Sequence, residues 1–447
     1  MTLRPRQLAS HMLVAMACLG LAACGDLPTW MGGNPPEIKR APGERIDVLL
    51  NPQSLQPDAT AQDVAVEIPE QANLEQWRNI NQAMVTAHIG LTGVTNSQSA
   101  RVGAGHDFVR SVVSAPVVAD GLVFAMDAAG IVSAHSESDI DTVKWVDKTG
   151  SQRGNDALGG GVSYAEGVLY ASTGAGNLRA LEAATGTVKW SIATGAPVRG
   201  APAIDGGFVV VLTADNQTLA YDAATGEPRW SHRGIRETAG YFSTTAPAIS
   251  DGIVVAAYSS GEVFALRLES GSVLWRDTLA SGQRTKASAA LSGIDANPIV
   301  QDGVVVVTSA SGEMQASALL NGRPLWQQRI GTHVTPWSAG NVLFVLSDTH
   351  DIAAILKRDG AIRWTQSLAV KDKRDATKDR TPPLYGPILS GNAVLVLDGE
   401  GNLTSFNPTT GERIASYELA SGIVTSPVVA NGAMYVLTKS GTLYKYY

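Results

Sequence analysis

The chain has 447 residues, of which 44% are hydrophobic and 17% are charged, and it contains 46 glycines and 21 prolines. This composition is typical of a turn-rich β protein rather than of a helical one. The formal net charge of −7, with no basic stripe along the sequence, argues against a nucleic-acid-binding protein.

Residues 1–23 have the pattern of a secretory signal peptide, because two arginines precede a short apolar run. That run ends in LAAC, residues 21–24, which resembles the bacterial lipobox. The resemblance implies that Cys24 is acylated and becomes the first residue of the mature protein. The alternative is an ordinary cleavage site beside an incidental cysteine. Gly25 stands where an Asp retains enteric lipoproteins at the inner membrane, so we expect an outer-membrane protein facing the periplasm.

Residues 24–72 hold the lipidated cysteine and a proline-rich stretch of mixed charge with no sustained period. Such a composition predicts a tether between membrane and domain. The folded domain is then expected to cover residues 73–447.

A tryptophan recurs shortly after a turn signal, as in LEAATGTVKW and YDAATGEPRW, residues 181–190 and 221–230. Related segments are spaced by 38 to 51 residues, and a turn glycine precedes each tryptophan position by 23 or 24 residues. A third turn lies between the two, so each unit has four short strands. Repeats of this length built from strands predict the blades of a β-propeller.

The two ends of the chain complete each other in this scheme. The last unit stops at Tyr447 before its tryptophan strand, and NLEQW, ending at Trp77, lacks the rest of a unit. In the seventh unit, Ala415 replaces the tryptophan. We therefore predict an all-β, eight-bladed propeller of four-stranded antiparallel blades, in which the N-terminal strand around Trp77 completes the last blade and closes the ring. The tryptophans are expected to pack between blades in a structural role; they are Trp77, Trp145, Trp190, Trp230, Trp275, Trp326 and Trp364.

The pattern A-x-(D/E)-x-x-T-G-x-x-x-W resembles the repeat of quinoprotein dehydrogenases that bind pyrroloquinoline quinone (PQQ). It also resembles the repeat of the BamB family, the propeller lipoproteins of the outer-membrane β-barrel assembly machinery. The resemblance covers residues 73–447 as a repeat, and the lipobox, tether and blade count match the BamB organisation. It implies a non-catalytic periplasmic scaffold that assists the insertion of β-barrel proteins, without cofactor or metal.

The alternative function is that of a PQQ-dependent, quinoprotein dehydrogenase-like periplasmic oxidoreductase. Quinoprotein enzymes carry a vicinal disulfide against the quinone, whereas Cys18 lies in the signal peptide and leaves the mature chain with Cys24 alone. The sequence has no C-x-x-C-H haem attachment, no metal-binding spacing among its seven histidines and no G-x-S-x-G motif. We therefore predict no catalytic residue and no metal ligand.

The BamB resemblance also implies a site for a partner. In that family an inter-blade loop with the pattern L-S-D-x-D holds the periplasmic domains of BamA, the barrel insertase. Residues 291–295 read LSGID here, with Gly293 in place of the first Asp. The predicted contacts are Leu291, Ser292, Ile294 and Asp295, and the alternative is an ordinary connecting loop.

A second family contact, an L-R pair, has no match in the equivalent stretch AGYFS, residues 239–243, where Tyr241 and Phe242 offer an apolar anchor instead. Other expected partners are the companion lipoproteins of the assembly complex and unfolded barrel clients, which could pair with the outer strand of blade 7. The insertion at residues 377–386 is either a further contact or a long loop.

Overall fold

The computed structural model describes residues 55–80, 87–106, 111, 114–149, 159–236, 244–279, 293–309, 312–370 and 380–447. In these ranges, 32 strands form eight four-stranded sheets, and every pair of neighbouring strands is antiparallel. The predicted eight-bladed propeller is confirmed. Within the same ranges, no helix has the length and apolar character needed to cross a membrane. Cys24 and the signal peptide lie outside the described residues.

The strands are numbered in chain order, and each blade runs from its inner to its outer strand. Blades 1 to 4 comprise β2 (Val117–Ala119), β3 (Leu122–Met126), β4 (Val132–Ser136) and β5 (Val143–Asp147); β6 (Gly160–Ala165), β7 (Val168–Thr173), β8 (Asn177–Glu182) and β9 (Val188–Ala193); β10 (Ala203–Asp205), β11 (Phe208–Leu212), β12 (Gln217–Asp222) and β13 (Pro228–Arg233); β14 (Ala248–Ser250), β15 (Ile253–Ala257), β16 (Glu262–Arg267) and β17 (Val273–Thr278).

Blades 5 to 8 follow the same order, except that the outer strand of blade 8 is the first strand of the chain. These blades comprise β18 (Ile299–Gln301), β19 (Val304–Thr308), β20 (Met314–Ala318) and β21 (Pro324–Gln328); β22 (Trp337–Ala339), β23 (Val342–Leu346), β24 (Asp351–Leu356) and β25 (Ile362–Ser367); β26 (Leu384–Ser390), β27 (Ala393–Asp398), β28 (Asn402–Phe406) and β29 (Arg413–Glu418); β30 (Val428–Ala430), β31 (Ala433–Leu437), β32 (Thr442–Tyr446) and β1 (Ser97–Arg101).

The outer strands hold six tryptophans in one repeated geometry. Trp230 lies opposite the small residue Ala220, and the ladder then shifts register by one residue. Such a bulge re-aims the side chain, and the Trp230 indole reaches the next blade, where its Nε1 donates to the carbonyl of Leu268 at 2.6 Å. The other five indoles donate at 2.6–3.0 Å to equivalent carbonyls; these tryptophans are Trp145, Trp190, Trp275, Trp326 and Trp364.

The ring is closed by an N-terminal strand, but the strand is not the one around Trp77. Strand β1 pairs with β32 over five residues. Gln98 of β1 occupies the tryptophan position and lies opposite Lys445. The Gln98 Oε1 accepts a hydrogen bond from the backbone N–H of Ile140 in blade 1 at 3.3 Å. Lys445 Nζ donates at 2.6 Å to the carbonyl of Glu137, which occupies the place of the usual indole acceptor. A polar pair therefore replaces the indole at this junction.

Trp77 lies at the centre of the ring, so its assignment to an outer strand was wrong. It is 5% exposed and stacks on Trp337 of the inner strand β22, with ring centroids 6.0 Å apart. The Trp77 carbonyl accepts from the backbone N–H of Val118 on the inner strand of blade 1 at 3.0 Å. The sequence shows a Trp after a polar turn in both places, and only the tertiary pairing distinguishes them.

Residues 55–80 and 87–92 form a strap that follows the ring before the chain enters β1. The Asp58 N–H donates to the carbonyl of Ile362 in blade 6 at 2.9 Å, and the Glu67 N–H donates to Asn341 Oδ1, also at 2.9 Å. The composition of residues 55–72 predicts that they belong to the tether. Their hydrogen bonds to blade 6 are long-range, which a composition-based assignment does not detect.

Candidate partner-binding site

The antiparallel meander divides the connections of every blade between two faces of the ring. The first and third turns lie on one face, here called the turn face. The second turns and the inter-blade connections lie on the other, here called the loop face. The strap contacts first turns of blades 6, 7, 8 and 1 through Asn341, Asn392, Asn431 and Asp120. The loop face therefore carries the connections in which the sequence predicts partner contacts.

A cavity of about 580 Å³ occupies the centre of the ring and is lined by residues from all eight blades. Strap residues Trp77, Asn79 and Ile80 form part of its wall. Three carboxylates also line it, and among the described lining residues there is no lysine or arginine to oppose them. The cavity is therefore acidic; the carboxylates belong to Asp205, Asp251 and Asp295.

Asp295 and His333 join two successive inter-blade connections at the edge of this cavity. His333 Nδ1 lies 2.9 Å from Asp295 Oδ2, and the two side chains are 53% and 7% exposed, respectively. The hydrogen bond to Asp295 is the largest cause of a raised pKa at His333, and the charge of Asp348 adds to it. Within the described residues, no donor reaches Asp295 Oδ1, which is buried. Asp295 thus links two neighbouring connections of the loop face from a buried position.

The remaining predicted contacts divide into one buried residue and four that lie outside the described residues. Ile294 is fully buried, and its carbonyl accepts from Thr245 Oγ1 at 2.9 Å, so it supports the connection from within. Leu291, Ser292, Tyr241 and Phe242 belong to the undescribed part of the chain. The structure therefore brings Ile294 and Asp295 beside His333, a residue that the sequence analysis did not single out.

Ile235 is a second loop-face residue that the sequence analysis missed. Its side chain is 62% exposed, while its backbone is fixed on both sides. The N–H donates to Glu262 Oε2 at 2.6 Å, and the carbonyl accepts from Asn216 Nδ2 at 2.8 Å. The signal in the sequence was a single isoleucine in the polar stretch HRGIRET. A rigidly mounted, exposed apolar side chain is a suitable anchor for a protein partner.

Solved structures of two functional classes share this fold. Quinohemoprotein alcohol dehydrogenase from Comamonas testosteroni superposes with a TM-score of 0.63 at 14% identity, covering 84% of this chain and 81% of its own. BamB from Moraxella catarrhalis superposes with a TM-score of 0.67 at 19% identity, covering 80% of this chain and 99% of its own. At these identities the likeness establishes the fold alone. The adjacent cysteine pair expected beside a quinone occurs nowhere in this sequence.

Sequence comparison identifies the family to which the chain belongs. The outer membrane protein assembly factor BamB of Yersinia pestis is 27% identical over 334 residues, which cover 72% of this chain and 81% of the relative. The family model described as outer membrane protein assembly factor BamB matches residues 128–366 and 367–446, well over half of the chain. These residues include all the outer-strand tryptophans and the Asp295–His333 pair. The chain therefore belongs to the family of the outer membrane protein assembly factor BamB.

Proposed function

We propose that this chain is a non-catalytic scaffold lipoprotein that binds the periplasmic domains of a BamA-like barrel insertase and assists the assembly of outer-membrane β-barrels. The observation that carries the proposal is family membership over residues 128–366 and 367–446. The architecture agrees with a scaffold, because a rigid ring presents many loops on one face. Companion lipoproteins of the assembly complex and unfolded barrel clients are further partners in this proposal.

The insertase contact is assigned to the loop face, around Asp295, His333 and Ile235. Asp295 is too buried to be replaced without disturbing His333. Ile235 offers a cleaner test, because its exposed side chain makes little contribution to the fold. A partner anchored on Ile235 would lose an apolar contact and gain an unpaired charge in the Ile235→Asp variant.

Ile235→Asp is expected to lower the amount of insertase that co-purifies with the chain while leaving the melting temperature unchanged. A hot spot of this kind contributes upwards of about 2 kcal/mol to binding. The matched control is Leu320→Asp, because Leu320 is at least as exposed, at 76% against 62%, but lies in the third turn of blade 5 on the turn face. Equal recovery of the insertase with both variants would remove the Ile235 loop from the proposed contact.

Lipidation of Cys24 would anchor this scaffold to the outer membrane and is part of the same proposal. The sequence LAAC at the end of the signal peptide supports it. Cys24→Ser is expected to release the chain from the outer-membrane fraction into the soluble periplasmic fraction, since the lipid supplies the membrane affinity. The measurement is made in a variant that also lacks insertase binding. Retention of that variant in washed outer membranes would show that the membrane anchor lies elsewhere.

A further inference from the structure

The strap pairs with the cavity-facing edges of inner strands in three blades. The backbone N–H of Tyr164 in blade 2 donates to the Arg78 carbonyl at 3.3 Å, as Val118 does to Trp77 in blade 1. In blade 7 the direction is reversed, because the strap residue Ile89 donates to the Leu389 carbonyl at 3.1 Å. All three inner-strand residues occupy the second-last position before the first turn. The ring therefore already binds an extended segment along these edges.

Blades 3, 4 and 5 present the same edge, and no segment of the described residues pairs with it. Ile204, Ile249 and Val300 hold the equivalent register positions, and all three line the central cavity. They are only partly buried, whereas Val118 and Leu389 are fully buried beneath the strap. In the part of the chain that the structure describes, no strand or bridge pairs with the cavity-facing edge of β10 or β14. An unpaired strand edge is a template for a further extended chain.

The charges beside these edges define the kind of segment that fits. Asp205 ends β10 and Asp251 follows β14, and both are exposed and line the cavity. Ser163, fully buried on the inner strand of blade 2, also lines it, and its Oγ has no hydrogen-bond partner among the described residues. Carboxylates without an opposing lysine or arginine favour a cationic ligand.

We propose that the cavity-facing edges of β10 and β14 bind an extended, lysine- or arginine-bearing segment of a partner protein, in the manner in which the strap occupies blades 1, 2 and 7. Main-chain hydrogen bonds to the strand edges supply affinity, and Asp205 and Asp251 select positive side chains. This inference rests on the proposed function, because it names the chemistry of a segment that the scaffold receives from its partner.

The test uses the purified full chain and a fluorescein-labelled peptide of alternating lysine and valine, seven residues long, followed by fluorescence anisotropy at low salt. Two further peptides separate the contributions. One replaces every lysine with glutamate, and the other carries N-methyl groups on the backbone nitrogens of both valine and lysine, which preserves the charge but prevents pairing with a strand along either edge of the peptide. We expect the lysine peptide to bind and both analogues to bind at least about tenfold more weakly.

The protein variant carries Asp205→Asn together with Asp251→Asn. These changes should lower the affinity of the chain for the lysine peptide by roughly tenfold. Asp302→Asn is the matched control. Asp302 sits in the same turn position as Asp251, with φ of 52° in both, but it lies outside the central cavity. The proposal is overturned by failure of the lysine peptide to bind, by equal binding of the N-methylated peptide, or by an equal effect of Asp302→Asn.

The peptide assay contains no insertase, so its outcome is independent of co-purification with the insertase. A chain that retains the insertase but does not bind the peptide would contradict the inference alone. Loss of insertase recovery from the wild-type chain would contradict the proposed function, whatever the peptide result.

Discussion

At the residue scale, the repeat is explained by a tryptophan fitting against a glycine of the next blade. A Cβ atom built on Gly271 would lie 2.6 Å from the ring of Trp230, and a Cβ atom on Gly226 would lie 2.8 Å from the ring of Trp190. The glycine is therefore required twice, for its positive φ and for the space that the indole fills. The spacing of Trp and Gly is visible in the sequence, but the sequence does not show that each pair joins two different blades.

Gly271→Ala and Gly252→Ala separate these two requirements within blade 4. The φ angles are similar, at 68° and 69°, but a Cβ atom on Gly252 meets nothing within 4 Å. Gly252→Ala should cost about 1–2 kcal/mol in unfolding free energy from backbone conformation alone. Gly271→Ala should cost about 1–3 kcal/mol more, because the methyl group overlaps the Trp230 ring. Urea denaturation measures the unfolding free energy of both variants. Equal losses of unfolding free energy would contradict a role of Gly271 in packing against Trp230.

The Asp295–His333 pair predicts a dependence of stability on pH. Asp295 raises the pKa of His333, so the folded state holds the proton more tightly than the unfolded state. The resulting stabilisation is fully present below the unfolded pKa of about 6.5 and is lost as the pH rises through the raised folded pKa. The unfolding free energy of wild type should therefore exceed that of His333→Gln by more in mild acid than in mild alkali.

Urea denaturation between about pH 5.5 and 8.5 measures this difference. Asp348 also faces His333, and burial raises its own pKa, so its titration contributes in more acidic solution. Asp295→Asn provides the second variant, since it keeps the histidine and removes its carboxylate partner. A gap between wild type and His333→Gln that is constant across the range would exclude the pair as its source.

At the element scale, the elements predicted well are those that carry the repeat, and those missed lie outside it. Strand β1 reads SQSAR and has no tryptophan, because Gln98 and Lys445 take the place of the indole at the closing junction. The strap has no sequence period at all. Its positions are fixed by hydrogen bonds to residues distant in the sequence, such as that of Asp58 with Ile362, 304 positions away. Local patterns cannot encode such partners.

Trp77→Ala tests the revised placement of the strap. Trp77 is buried against Trp337 and forms part of the cavity wall, so truncation should lower the unfolding free energy by about 3–5 kcal/mol. Glu75→Ala is the control on the same strap, because the Glu75 side chain is exposed and its effect should stay within about 0.5 kcal/mol. Urea denaturation measures the unfolding free energy of both variants. A loss for Trp77→Ala as small as that for Glu75→Ala would show that the strap is not held at the centre of the ring.

At the scale of the whole molecule, eight equivalent blades produce a ring whose two faces differ. The strap covers inner strands of blades 1, 2 and 7 on their cavity side. Among the described residues, no segment pairs with the inner strands of blades 3 and 4, which line an acidic cavity. The blade count followed from the spacing of Trp and Gly, because each unit repeats the same local signals. The difference between covered and uncovered blades did not follow from that spacing, because this difference arises from the strap, a single non-repeating segment. Of the residues in the proposed loop-face contact, the sequence pattern singles out Ile294 and Asp295 but not His333 or Ile235, so the contact itself stays a prediction.

We propose that this ring is a scaffold of the outer-membrane β-barrel assembly complex. The most direct measurement is affinity purification of the full-length chain from membranes solubilised in mild detergent, with identification of the co-purifying proteins by mass spectrometry. We expect recovery of a BamA-like barrel insertase together with companion lipoproteins, and less insertase with Ile235→Asp than with Leu320→Asp. Recovery of respiratory-chain components without the insertase, with a quinone absorbance in the eluate, would contradict the scaffold and support an oxidoreductase.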